Sequence, residues 1–161
     1  MSYRIYADHA ATTPLDPDAL TAMLPYLTDL YGNPSAPYGA AGAVREAVTQ
    51  ARRTIATCIG ADPEEIYFTS GGTEADNWVI QGTDGAVAVS TIEHHAVLSP
   101  CVAARRQGRA VIDIPATSEG IVTAEAVKSS LTPDTKLVSV MAANNELGTI
   151  QPIAALAEVA H

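Results

Sequence analysis

Ile66-Tyr67-Phe68-Thr69-Ser70-Gly71-Gly72-Thr73-Glu74 is the stretch on which the reading of this chain turns. An apolar run breaks into Ser-Gly-Gly-Thr and then into helix-forming residues, which is the layout of a strand, a tight turn and a helix start. Paired glycines let the backbone come close to a bound oxyanion. The unpaired N–H groups of a first helical turn, with the helix dipole behind them, favour negative charge. Two readings follow. Gly72 and Thr73 hold a phosphate through their N–H groups and the Thr73 hydroxyl, or the segment is a strand-to-helix turn with Thr73 as a cap. It is neither a Walker A loop, which needs Lys after Gly, nor a Gly-x-Gly-x-x-Gly dinucleotide fingerprint.

Downstream of this stretch, strand and helix patterns alternate. Strands are expected over 65–69, 86–90, 110–114 and 137–141. Helices are expected over 73–81, closed by Gly82; 96–107, closed by Gly108; 123–131, with Thr123 as N-cap; and from 153 onward, opened by Pro152. Repeated units of this length predict βαβ connections and a mainly parallel sheet covered on both faces, a three-layer α/β/α fold. Upstream, Tyr3 to Ala7 reads as a strand or extended arm. A helix opens at Asp16 or Asp18, with Pro17 suited to its first turn, and ends near Asp29. Residues 31–37 are a loop, and a second helix runs from Gly39 to Ile59, where Val44, Val48, Ala51, Ile55 and Ile59 share a face before Gly60 stops it. The division expected is an N-terminal arm and helix over 1–30 and a larger α/β domain over 31–161.

Composition narrows the function classes. Hydrophobic residues make up 47% and charged residues 17%, which is globular rather than disordered. A net charge of −9 with no Lys/Arg run leaves nucleic acid and anionic membranes without an electrostatic footprint. No signal-peptide pattern opens the chain, and no apolar run approaches the ~18 residues of a membrane-spanning helix, so the cytoplasm is the expected compartment. Cys58 and Cys101 stand apart, outside metal-ligand spacing, and read as small buried thiols.

Two more polar clusters follow expected strands: Glu93-His94-His95 and Asn144-Asn145-Glu146. In open parallel sheets ligands bind at the carboxyl ends of strands, so the three clusters are expected to share one rim. His94 or His95 can stack on a flat ring or shuttle protons, or cap a helix; no metal set is expected. A side-chain amide in the asparagine pair can donate to a phenolic oxygen, or the pair can form a turn before Gly148. Asp8 and His9 are site groups or order the N-terminal loop.

Five stretches taken together resemble the cysteine desulfurases, pyridoxal-phosphate enzymes of the class V aminotransferase group: Tyr6-Ala7-Asp8-His9-Ala10-Ala11-Thr12-Thr13-Pro14, Gly32-Asn33-Pro34-Ser35, Phe68 through Asn77, Glu93 through Leu98, and Asn144 through Pro152. The resemblance implies the first half of a fold-type-I large domain. It implies Gly72 and Thr73 as the cofactor phosphate cradle, His94 as the catalytic imidazole that stacks on the pyridine ring and relays protons, and Asn145 as the amide beside the phenolic oxygen. It further implies removal of sulfur from L-cysteine to give L-alanine and a protein persulfide, a sulfur-acceptor protein of scaffold or tRNA-thiolation type, and a homodimer. Tyr38 stands where the family commonly has a histidine, and His9 replaces a frequent asparagine. Alternatives are a related selenocysteine lyase or aminotransferase, and a non-catalytic binding domain.

The family's Schiff-base lysine, its pyridine-pairing acid and its sulfur-accepting cysteine have no counterpart here. The chain holds only Lys128 and Lys136. The 161 residues alone, mixed with pyridoxal phosphate, are therefore expected to form no stoichiometric borohydride-reducible absorption band on a single lysine. Such a band, located by peptide mapping, would refute this.

Overall fold

Three parallel strands, β1 (Ala86–Ser90), β2 (Val111–Ile114) and β3 (Thr135–Ser139), form a sheet in the order β2-β1-β3. The computed structural model that shows them describes residues 5–161 and divides into two compact units, one ending at Phe68 and the other spanning Thr69–His161. The sheet belongs to the second unit, with helices α3 (Gly72–Gly82), α4 (His95–Arg106), α5 (Ala124–Ser130) and α6 (Ile153–Ala160).

Every residue of β1 is buried. Its side chains alternate between two cores, as strand geometry requires. Val87 and Val89 meet Ile80 of α3 and Val97 and Cys101 of α4. Ala88 meets Ile114, Val122, Val127 of α5 and Leu156 of α6. This is the expected three-layer arrangement, with α3 and α4 on one face and α5 and α6 on the other. Local chemistry sets the helix ends: the Thr123 side chain accepts from Ala126 N at 3.1 Å, and the C-terminal turn of α3 is closed by Arg109. Its guanidinium donates to the carbonyls of Ile80 (2.6 Å) and Thr83, which the helix end leaves without partners, and of Gly85 (2.9 Å), just before β1.

In the first unit α1 (Pro17–Thr28) starts at Asp16, whose carboxylate accepts from the backbone of Asp18 at 2.8 Å, and α2 (Ala40–Ile59) ends at Gly60 with φ +70°. The expected arm at Tyr3 to Ala7 lies partly outside the described residues, and its described part is not in a ladder. Near the start of the unit, the Asp8 carbonyl accepts from Ala11 and Thr12, and the Tyr6 and His9 rings meet edge-on at 5.2 Å. These contacts lie within the N-terminal loop itself.

Three expectations need correction. Residues 65–69 are not a ladder strand. Pro63–Glu65 form a 3-10 turn in which the Glu65 carboxylate accepts from Asp62 N at 2.8 Å. The Ile66 carbonyl is taken by the Arg52 guanidinium, which also lies 5.2 Å from the Phe68 ring. Second, β3 ends at Ser139 rather than Met141, because the Met141 N–H donates to the Glu93 carboxylate at 2.5 Å instead of continuing the ladder. Third, only Cys101 is a buried thiol, with its pKa pushed up by burial; Cys58 is exposed among the described residues, on a helix whose apolar stripe at Ile55 and Ile59 is also exposed.

Gly85 shows how tightly β1 is inserted. At φ +110° its added Cβ would lie 2.6 Å from Lys136 Cγ and 3.0 Å from the Asp134 carbonyl. Lys136 can move, but the backbone carbonyl and the backbone conformation cannot adjust cheaply. Gly85→Ala is expected to destabilise the protein by roughly 1–3 kcal/mol, read as a lower midpoint in urea unfolding.

Candidate functional site

Both β1 and β3 run out at the same end of the sheet, because they are parallel. The chain leaving β1 reaches His94 within four residues of Ser90, and the chain leaving β3 reaches Asn145. Two hydrogen bonds join these loops. Glu93 Oε1 accepts from Ser90 Oγ at 2.7 Å and from Met141 N, and Asn144 Nδ2 donates to the Ile92 carbonyl at 3.0 Å. Asn144 also shapes its own turn, its Oδ1 accepting from Glu146 N at 2.9 Å and Leu147 N at 2.8 Å. It is buried, while Asn145 is exposed.

The third element of the site is the start of α3. Gly71, its N-cap, offers no side-chain cap. The first intrahelical bond, Ala75 N to Gly71 O, leaves the N–H groups of Gly72, Thr73 and Glu74 ahead of it. A Cβ added to Gly71 or Gly72 meets nothing within 4 Å, so the space above this turn is open. Glu74 turns its carboxylate back to Ser70 N at 2.6 Å. That bond to the backbone and side chain of Ser70 holds its pKa below the usual carboxylate value, so the acid occupies Ser70 rather than the first-turn N–H groups.

A cavity of about 450 Å³ lies between α3 and α4 and is lined by Thr73, Asn77, Gln81, His94, His95 and neighbouring small residues. Its volume falls within the range typical of small-molecule sites. Asn77 spans it, donating to the Thr73 carbonyl at 2.8 Å and the Ala96 carbonyl at 3.3 Å. His94 caps α4: its Nδ1 accepts from Ala96 N at 3.0 Å, which leaves the ring proton on Nε2. The adjacent His95 ring lies 6.4 Å away, T-shaped to it.

The sequence-predicted residues thus divide. Thr73 and His94 line one cavity, with Gly72 in the same turn as Thr73. Asn145 is not a lining residue; it sits on the loop pinned beside His94. The rim is built from two strand ends and a helix start, since the segment before Ser70 is no ladder strand. Residue-by-residue reading placed Glu93 and Asn144 in the site clusters but assigned neither the bonds that join the two loops, and it gave Asn77 no role. Glu93 had a signal, an acid directly between a buried strand and the histidine pair. Asn144 had one too, as the first of two asparagines before a Gly-containing turn. Lys136 lies at the opposite end of β3, near Gly85, and Lys128 lies on α5. A second groove, about 530 Å³, flanks the open edge of β3 and is mostly aliphatic, lined by Leu131, Val138, Ile153 and Leu156 among others. Among the described residues no three His, Cys, Asp or Glu side chains gather as a metal site would need.

The family model for class V aminotransferases matches residues 5–161. The chain belongs to the class V aminotransferase family. It is similar to the cysteine desulfurase IscS of Methanosarcina thermophila, with 44% identity over 97% of this chain and 40% of the relative. It is also similar to a cysteine desulfurase of Cereibacter sphaeroides, at 46% identity over 98% of this chain and 43% of the relative. Among solved structures it resembles SspA in complex with cysteine (TM-score 0.92, 37% identity, 96% of this chain and 47% of the other). A NifS-like protein is comparably similar (TM-score 0.91, 35% identity, 98% and 45%). The chain spans about two fifths of the length of the curated relatives it matches. Class V aminotransferases and cysteine desulfurases are pyridoxal-phosphate enzymes, and the sequence-level reading of fold and family agrees with these likenesses.

The residues present fit that cofactor. Open space and unpaired N–H groups at Gly72 and Thr73 suit a phosphate, and His94, whose Nδ1 is taken by Ala96 N, lines the cavity shared with Thr73. His94 carries a structural duty as well as the proposed chemical one, and the two can be separated. His94→Ala should lower stability by about 1 kcal/mol through loss of the cap, whereas His94→Asn, which retains a capping acceptor, should not. Denaturant unfolding of both variants checks this.

Proposed function

We propose that this chain supplies the phosphate- and ring-contacting part of a pyridoxal-phosphate site in an enzyme that removes sulfur from L-cysteine. The observation that carries the reading is one cavity lined by both Thr73 and His94, opening beside an uncapped glycine helix start. The likeness to cysteine desulfurases supplies the substrate class. When bound, the cofactor acts as the electron sink for bond breaking at the amino acid.

The chain's own residues do the rest. N–H groups of Gly72 and Thr73 and the Thr73 hydroxyl hold the phosphate, where the helix dipole favours a dianion. His94 stacks on the ring and moves a proton at Nε2, its other nitrogen being held by Ala96. The Asn145 amide donates to the phenolic oxygen. In this reading the products are L-alanine and a protein persulfide passed to an acceptor protein, the enzyme is a cytoplasmic homodimer, and the Schiff-base lysine, the pyridine-pairing acid and the sulfur-bearing cysteine lie outside these 161 residues. A second reading, a binding domain without catalysis, is favoured for the isolated chain by the placement of both lysines away from the cavity.

In the intact protein Thr73→Ala should weaken pyridoxal-phosphate binding by on the order of tenfold to a hundredfold, as expected for a lost hydrogen bond to a charged group, and Thr73→Ser should restore most of it. Equilibrium dialysis reads the affinity, and alanine release from L-cysteine reads the activity. A wild-type protein that neither takes up the cofactor nor releases alanine sinks the proposal.

A further inference from the structure

We infer that Glu93 and Asn144 are positioning residues: they lock the loop carrying His94 to the loop carrying Asn145, so that imidazole and amide address one ligand in a fixed relation. The inference rests on the pyridoxal-phosphate reading for what that ligand is, but its geometry is independent of it. Glu93 Oε1 accepts from Ser90 Oγ, whose residue has no exposed surface, and from Met141 N, 48 residues further along. One residue before it, the Ile92 carbonyl accepts from Asn144 Nδ2. Two bonds therefore cross between residues 92–93 and 141–144, and the residues directly following each anchor, His94 and Asn145, are the two with proposed contacts to the ring. Glu93 takes the Met141 N–H that would otherwise extend β3, so the strand ends where the lock begins.

The chemistry dictates informative variants. Both bonds to Glu93 end on a single oxygen, so Glu93→Gln keeps an acceptor for them while Glu93→Ala removes it. Asn144 uses its oxygen for its own turn and its nitrogen for the cross-link. Asn144→Asp therefore preserves the acceptor toward Glu146 and Leu147 while setting an oxygen against the Ile92 carbonyl. This variant keeps the bonds to Glu146 and Leu147 while losing those of Nδ2 to the Ile92 carbonyl and, within its own loop, to the Met141 sulfur at 3.4 Å, and it serves where Glu93→Ala fails to fold.

The experiment uses the intact protein in two forms. In the cofactor-free form, amide hydrogen exchange is followed over residues 91–96 and 140–147. Glu93→Ala and Asn144→Asp should each speed exchange in both segments together, and Glu93→Gln should stay near the wild type. In the form loaded with pyridoxal phosphate, the two disruptive variants should change the visible circular dichroism of the cofactor. They should also lower kcat for L-cysteine on the order of tenfold to a hundredfold, the cost of a misplacement of about 1 Å, with KM moving much less; Glu93→Gln should recover most of both signals. Exchange that rises in only one segment, or cofactor dichroism and kcat that stay at wild-type values, overturns the inference, as does a Glu93→Gln variant as impaired as Glu93→Ala. A failure of the cofactor reading shows instead in the wild type, which would take up no pyridoxal phosphate. A failure of the lock shows only in the variants.

Discussion

β1 is buried on both faces, and the arrangement of the second unit follows from that constraint. A strand covered on one face by Ile80, Val97 and Cys101 and on the other by Ile114, Val127 and Leu156 cannot slip by a residue without exchanging the two sets. Each fully buried valine or isoleucine contributes on the order of 1.5–3 kcal/mol relative to exposure. The register with β2 and β3 is therefore held by packing as much as by ladder hydrogen bonds. Once β1 is fixed, parallel neighbours place the departing loops of β1 and β3 at one end, and the helices that precede and follow β1 lie side by side on one face.

Packing brings the rim together, but it is too coarse to set the position of a side chain. The finer placement comes from satisfying backbone groups that elements leave behind. Four such groups are answered by side chains close to the cavity: Ser70 N by Glu74, Ala96 N by His94, Ala96 O by Asn77 and Met141 N by Glu93. The exposed first turn of α3 is different, since no side chain caps it. Buried backbone groups are rarely left unpaired, whereas exposed ones can wait for water or a ligand. The uncapped turn is thus tolerable because Thr73 lies at the surface, and useful because an anion can reach it.

The sequence disclosed elements whose ends are written in local chemistry. Asp16-Pro17 before α1, Gly60 after α2 and Thr123 before α5 all act as read. Long apolar periods and the unbroken run Ala86–Ser90 likewise announced their elements. What stayed hidden depended on partners distant in sequence. That Ile66 would lose its carbonyl to Arg52, or that Met141 would give its N–H to Glu93, is a tertiary outcome that no propensity encodes. The same reason explains the site. Residue types pointed to Thr73, the histidine pair and the asparagine pair, and the family resemblance singled out His94 and Asn145, while Glu93, Asn144 and Asn77 act through backbone groups up to 52 residues away that the sequence does not pair with them.

This division bears on how the family's chemistry can be shared along a chain. The residues proposed to contact the phosphate and the ring come from three short segments within Thr69–His161. None of the anchoring hydrogen bonds involves a lysine, and neither lysine of the chain approaches the cavity lining. The groups proposed to recognise the cofactor are therefore held in place without a lysine. On the proposed reading, a site so built orients its ligand before any bond to it forms, which suits a protein that contributes geometry while its cofactor does the electronic work.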